Sequence, residues 1–145
     1  MPDLYDQLIE LLRKSADETD VKDVITSLPE EPQILKMQHG MDVVFPQLGV
    51  SIRAVENRML ERYMLPEFEE NRKVVWSIAF RANFTEKLFN GARMGDLRSE
   101  IKEKFLCEPA CTGPEDRYQI PPFVLLCMFD SNERLQTLAV LKNET

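Results

Sequence analysis

Apolar residues near the start of the chain recur at Leu4, Leu8, Leu11 and Leu12, steps of three and four that place them on one face of a helix. Asp3 stands at the N-cap position, so "DLYDQLIELLRKSADE" predicts a helix. In "DETDVKDVITSLPEEP", Val21, Val24, Ile25 and Leu28 form the apolar face of a shorter second helix. Thr19 or Asp20 can cap it, and Pro29 ends it because a proline cannot continue the hydrogen-bond ladder.

The period then changes from helical to two. "QILKMQHG" alternates over its first positions and stops at Gly40, and "MDVVFPQLGVSIRAVEN" is interrupted by "FPQLG", predicting two strand pieces. "RMLERYMLPEF" fits either period and is read as a strand. "KVVWSIAFRANF" alternates Val74, Trp76, Ile78 and Phe80 against Val75, Ser77, Ala79 and Arg81, predicting a strand with one buried face and Trp76 in the core. Beyond Phe84, Leu88, Gly91 and Gly95, a third helix is expected with Asp96 or Ser99 as its cap. Its inner face is Leu97, Ile101, the stem of Lys102, and Phe105. "TGPEDRYQIPP" is turn-rich with a short strand from Arg117 to Ile120, and "FVLLCMFDSNERLQTLAVL" reads as a hairpin turning at Asp130, Ser131 and Asn132. The pattern as a whole is that of one α+β domain over 1–145, with two or three helices packed on a single antiparallel β-sheet.

Composition narrows the function. The 145 residues are 43% hydrophobic and 30% charged, which is enough for a core under a solvated surface. A net charge of −7 disfavours nucleic acid, whose binding needs basic patches, and suits a basic protein partner. The first residues show no basic segment followed by an apolar run, and no apolar stretch is long enough to span a bilayer, so no export signal and no membrane partner are expected. Cys107, Cys111 and Cys127 are an odd, sparse set, which points to reduced, buried or half-buried thiols and a cytoplasmic location. His39 is the only histidine and the cysteines lack a second ligand pair, so no metal site is expected. Phosphate-cradling glycine loops, zinc-protease pairs and nucleophile elbows are all missing from the sequence, so no cofactor and no enzyme activity are expected.

Setting Pro32 against Pro109 lays "DVITSLPEEP" over "EIKEKFLCEP": Val24 falls on Ile101 and Leu28 on Phe105. With a one-residue slip, Arg58-Met59 falls on Arg134-Leu135. The halves 1–83 and 84–145 are thus either a tandem helix-then-strands repeat or two αβ segments alike by chance. The C-terminal half resembles the repeat of the β-lactamase inhibitor protein and of the small outer-membrane lipoproteins of the barrel assembly machinery. Gly95, Glu100, Ile101, Phe105 and Pro109 match the helix part of that repeat, and Tyr118, Phe129, Asp130, Asn132 and Leu135 match its strand part. Cys107 stands where the repeat usually has a glycine, and the turn carries Asn132-Glu133 where glycine is commoner. The resemblance implies helices on one face of an antiparallel sheet, engagement of protein partners by the exposed sheet face or loops, and no catalytic apparatus. An acidic, single-domain chain of this kind is similar to immunity proteins of bacterial polymorphic toxins.

Two segments are candidates for partner binding. Glu67, Phe68, Glu69 and Glu70 form either an acidic tip presented to a basic surface or a solvated turn over a buried Phe68. Glu115, Asp116, Arg117 and Tyr118 form either a binding loop or a locally paired turn with Tyr118 in the core. Asp96, Glu100, Glu103 and Glu108 read as helix-capping and solvating carboxylates. The expected role is inhibition of a protein partner, a toxin domain with a basic docking surface, by steric occlusion of its active site by an acidic surface. The alternatives are a ligand-binding domain or enzyme with a pocket between helix and sheet, and a structural adaptor or homodimer.

Overall fold

A computed structural model of the chain describes residues 3–143. Its strands are β1 (Gln33–Met37), β2 (Gly40–Phe45), β3 (Val50–Glu56), β4 (Lys73–Arg81), β5 (Glu115–Ile120), β6 (Phe123–Phe129) and β7 (Leu135–Lys142). They form one sheet in the order β1-β2-β3-β4-β7-β6-β5, with every neighbouring pair antiparallel. Three α-helices, α1 (Leu4–Ile9), α2 (Thr19–Ser27) and α3 (Arg98–Phe105), complete the expected α+β architecture. In both halves a helix is followed by a three-stranded meander, and β4 joins the two meanders. The segments aligned by the second, slipped pairing differ in structure: Arg58 and Met59 lie in a 3-10 segment, whereas Leu135 begins β7.

Cross-strand register shows how the core is built. Ile34, Val43, Ile52, Ile78, Val140, Leu125 and Tyr118 stand opposite one another in a row that crosses all seven strands. A neighbouring row runs Phe45, Val50, Phe80, Leu138, Cys127 and Asp116. Apart from Ile34 and Asp116, these residues form one buried cluster with Tyr5 and Leu8 of α1, Leu11 and Leu12 after it, Val21 of α2, and Ile101 and Phe105 of α3. The helices therefore all cover the same face of the sheet. Two rings tie α3 to this face: Phe105 packs edge-on against Phe89 at 5.3 Å and Tyr118 at 4.8 Å.

Four local expectations are corrected. The first helix is shorter than its apolar period suggests and ends at Ile9. Arg13 N–H donates to Val75 O, Val75 N–H to Lys14 O and Ala16 N–H to Lys73 O, at 2.7–2.9 Å. Because β7 reaches only residues 77–81 of β4, the chain around Ser15 completes that edge, and hydrogen bonds that would have extended α1 go to the sheet instead. "RMLERYMLPEF" is not a strand but a 3-10 segment over Asn57–Tyr63, broken at Glu61, whose φ is +51°. The predicted side-chain caps are also not used. Glu18 and Leu97 occupy the N-cap positions of α2 and α3, and Glu100 reaches back to accept from Leu97 N–H at 2.9 Å. Finally, β4 does not alternate throughout: Arg53 pairs with Ser77 and Ala54 with Val75, so Trp76 is an extra residue that reverses the facing of Val74 and Val75.

Candidate functional site

Among the described residues, the opposite face of the sheet carries no α-helix. Its central row runs Gln33, Val44, Ser51, Ala79, Ala139, Leu126 and Arg117. The row beside it runs Leu35, Asp42, Arg53, Ser77, Leu141, Val124 and Gln119. The first row has small side chains at its middle, Ser51, Ala79 and Ala139, whereas in the second only Ser77 is small, between Arg53 and Leu141. Leu35, Met37 and Met128, all more than 40% exposed, lie on this face. Arg53 makes a two-pronged contact with Asp42 at 2.8 and 2.9 Å, and Arg81 is exposed. The sequence held one signal of this surface, the unbroken apolar run "FVLLCMF", since a strand apolar at successive positions has two apolar faces.

One end of this face is covered by residues 57–68. Leu60, Leu65 and Val74 form a second small core there with Val55, Tyr63, Phe68 and Trp76 packed around it. Trp76 thus belongs to this satellite cluster, half-buried, and not to the main core. Buried Asn57 holds the covering loop: its amide nitrogen donates to Leu65 O at 2.8 Å and Phe68 O at 3.1 Å, and its oxygen accepts from Leu65 N–H at 2.8 Å. With Phe68 half-buried, Glu67, Glu69 and Glu70 are left exposed on a loop bordering the uncovered face. Arg72 lies 3.6 Å from Glu69.

The other candidate segment is corrected. Glu115 to Tyr118 is not a loop but the start of the edge strand β5, and its side chains divide between the two faces. Asp116 and Tyr118 turn under α3 and are 1% and 0% exposed, so they form no outward docking surface. Glu115 and Arg117 are exposed on the opposite side. The eight candidate residues therefore do not form one site. Five of them, Glu67, Glu69, Glu70, Glu115 and Arg117, remain available to a partner.

Under α3 lies a cavity of about 430 Å³ between the helix and β5, where the alternative ligand-binding reading places a pocket. Asp116 and Tyr118 line it, as do Arg98, Lys102, Glu108 and Glu133. The Tyr118 hydroxyl is buried without a hydrogen-bond partner, and burial pushes its pKa up to about 12. The spacing of polar residues on α3 alone reads as a solvated face, so only the docking of α3 on β5 reveals the cavity.

The remaining polar candidates have structural partners. Asp96 accepts from Arg93 N–H at 2.9 Å and Lys104 Nζ at 2.7 Å. His39 Nδ1 lies 3.4 Å from Glu56 and 3.3 Å from Arg58, in a cluster with no nucleophile. All three cysteines are free: Cys127 is buried, Cys107 half-buried and Cys111 exposed, the last against expectation because it sits outside β5, bridging to Arg117. Among the described residues, no group of three or more His, Cys, Asp or Glu is placed to hold a metal ion, and no helix is long and apolar enough to cross a membrane. No family model matches the chain, and comparisons with curated proteins and with solved structures return no match.

Proposed function

We propose that this chain is a protein-binding inhibitor, a cytosolic immunity protein that occludes the active site of a cognate bacterial toxin. The observation that supports this most directly is the sheet face without an α-helix, with the small side chains Ser51, Ser77, Ala79 and Ala139 near its centre and exposed apolar residues and arginines around them. A face of this kind accepts a convex partner, and arginine and methionine are favoured at interface centres. The acidic loop at Glu67–Glu70 borders the face and would steer a basic partner toward it, consistent with the net charge of −7.

The test is a pull-down from the source cell, followed by association rates at two salt concentrations. Ala139→Arg, which puts a large side chain at the centre of the face, should abolish capture while leaving the melting temperature nearly unchanged. Glu69→Lys with Glu70→Lys should slow association and reduce its salt dependence. The reading fails if no protein is captured, or if Ala139→Arg binds as the parent does.

A further inference from the structure

The cavity under α3 contains an unbalanced charge. Three carboxylates, Glu108, Asp116 and Glu133, line it against two cations, Arg98 and Lys102. The short contacts pair Lys102 with Glu108 at 2.8 Å and Arg98 Nε with Glu133 at 2.7 Å. These four groups stand at the mouth, with side chains between 33% and 77% exposed. Asp116 is buried, and its one side-chain partner is Arg98, whose Nη1 donates to it at 3.4 Å, long for an N–H···O bond. Arg98 is shared with other partners, donating to Gly113 O at 3.3 Å and lying over the Phe129 ring at 4.6 Å. Two residues along β5, on the same face, Tyr118 presents the partnerless hydroxyl.

A buried carboxylate held by one long, shared hydrogen bond and a buried hydroxyl with none are both costly to leave so. They lie together under one opening, with Leu97 and Pro109 among the cavity's lining. We infer that this cavity binds one primary ammonium or guanidinium group on an alkyl stem. Asp116 accepts the charge-assisted hydrogen bonds, the Tyr118 oxygen accepts another, and the stem lies against Leu97 and Pro109. The chemistry is that of a lysine or arginine side chain or of a free alkylamine. The inference does not depend on the sheet-face docking proposed above.

The test is a titration of the ¹⁵N-labelled full chain, following the backbone amides around α3 and β5. The probes are n-butylammonium, butylguanidinium, butyrate and n-butanol. The two cations should give saturable shifts there, and butyrate and butanol should not. Asp116→Asn should weaken cation binding about tenfold or more, the loss expected for a charged hydrogen bond, and Tyr118→Phe by about two- to tenfold. Nα-acetyl-lysinamide binding at least as tightly as n-butylammonium assigns the site to a protein side chain, and weaker binding assigns it to a free amine. Should Asp116→Asn fail to fold, Tyr118→Phe and the butyrate comparison decide the matter. Cation shifts that do not saturate, butyrate binding as tightly as n-butylammonium, or full affinity in Tyr118→Phe would overturn the inference.

Discussion

Phe105→Ala tests how α3 is bound to the rest of the molecule. The ring is 4% exposed, and it meets Phe89 at 5.3 Å and Tyr118 at 4.8 Å, both edge-on. Loss of a fully buried aromatic side chain forfeits about 1.5–3 kcal/mol of transfer free energy. Each ring pair adds about 0.5–1.5 kcal/mol, and the void left behind relaxes only in part. The sum falls in the range of about 3–5 kcal/mol seen for such truncations, a large share of the ~5–15 kcal/mol that holds a domain folded. With a urea dependence of ~1–3 kcal/mol per molar, the midpoint should fall by about 2 M. Trp76, the only tryptophan, lies in the satellite cluster on the opposite face, so its fluorescence reports at a distance from the mutation. One seven-stranded sheet carries both clusters and should unfold as a unit, so the Trp76 and far-ultraviolet transitions should move together. A loss under 1 kcal/mol would refute the packing argument. A far-ultraviolet transition that shifts while Trp76 stays put would refute cooperative unfolding of the two halves.

Three further outcomes are expected. Gly49 has a φ of +75°, and a Cβ there would stand 2.5 Å from Asn83 Oδ1 and 2.8 Å from Phe84 N, so Gly49→Ala should cost about 1–3 kcal/mol by urea titration; a neutral change would refute the turn geometry. Exposed Cys111 should react first with a thiol reagent, whereas Cys127, fully buried and pushed up to about 12, should react only on unfolding; mass spectrometry of the labelled native protein checks the order. Burial raises both Cys127, from 9.0, and Tyr118, from 10.0, to about 12, so the unfolded chain loses these protons first and stability should fall as pH rises from 9 towards 12; a flat profile across that window would contradict the burial of both groups.

Sequence alone determined the elements whose signals are local. The Asp130–Asn132 hairpin turn is written in its residue types: the Asp130 carboxylate accepts from Asn132 and Arg134 N–H within the turn itself. Ile101 and Phe105 face inward and Glu100 and Glu103 outward because helical spacing alone separates them. The α+β class followed from the order of the two periods. What depends on distant partners was decided by the tertiary structure. Residues 13–16 leave a helical pattern because β7 stops short and an edge of β4 needs their hydrogen bonds. Residues 57–63 become a 3-10 segment because Asn57 finds Leu65 and Phe68, and Trp76 changes cluster because one unpaired residue reverses the facing of a strand. The candidate sites divide in the same way. The exposure of Glu67, Glu69 and Glu70 was legible from a polar turn, whereas the burial of Asp116 and the cavity it shares with Tyr118 exist only once α3 lies across β5. An edge strand alternates its side chains between two faces, and its own sequence does not say which face a helix from another part of the chain will cover.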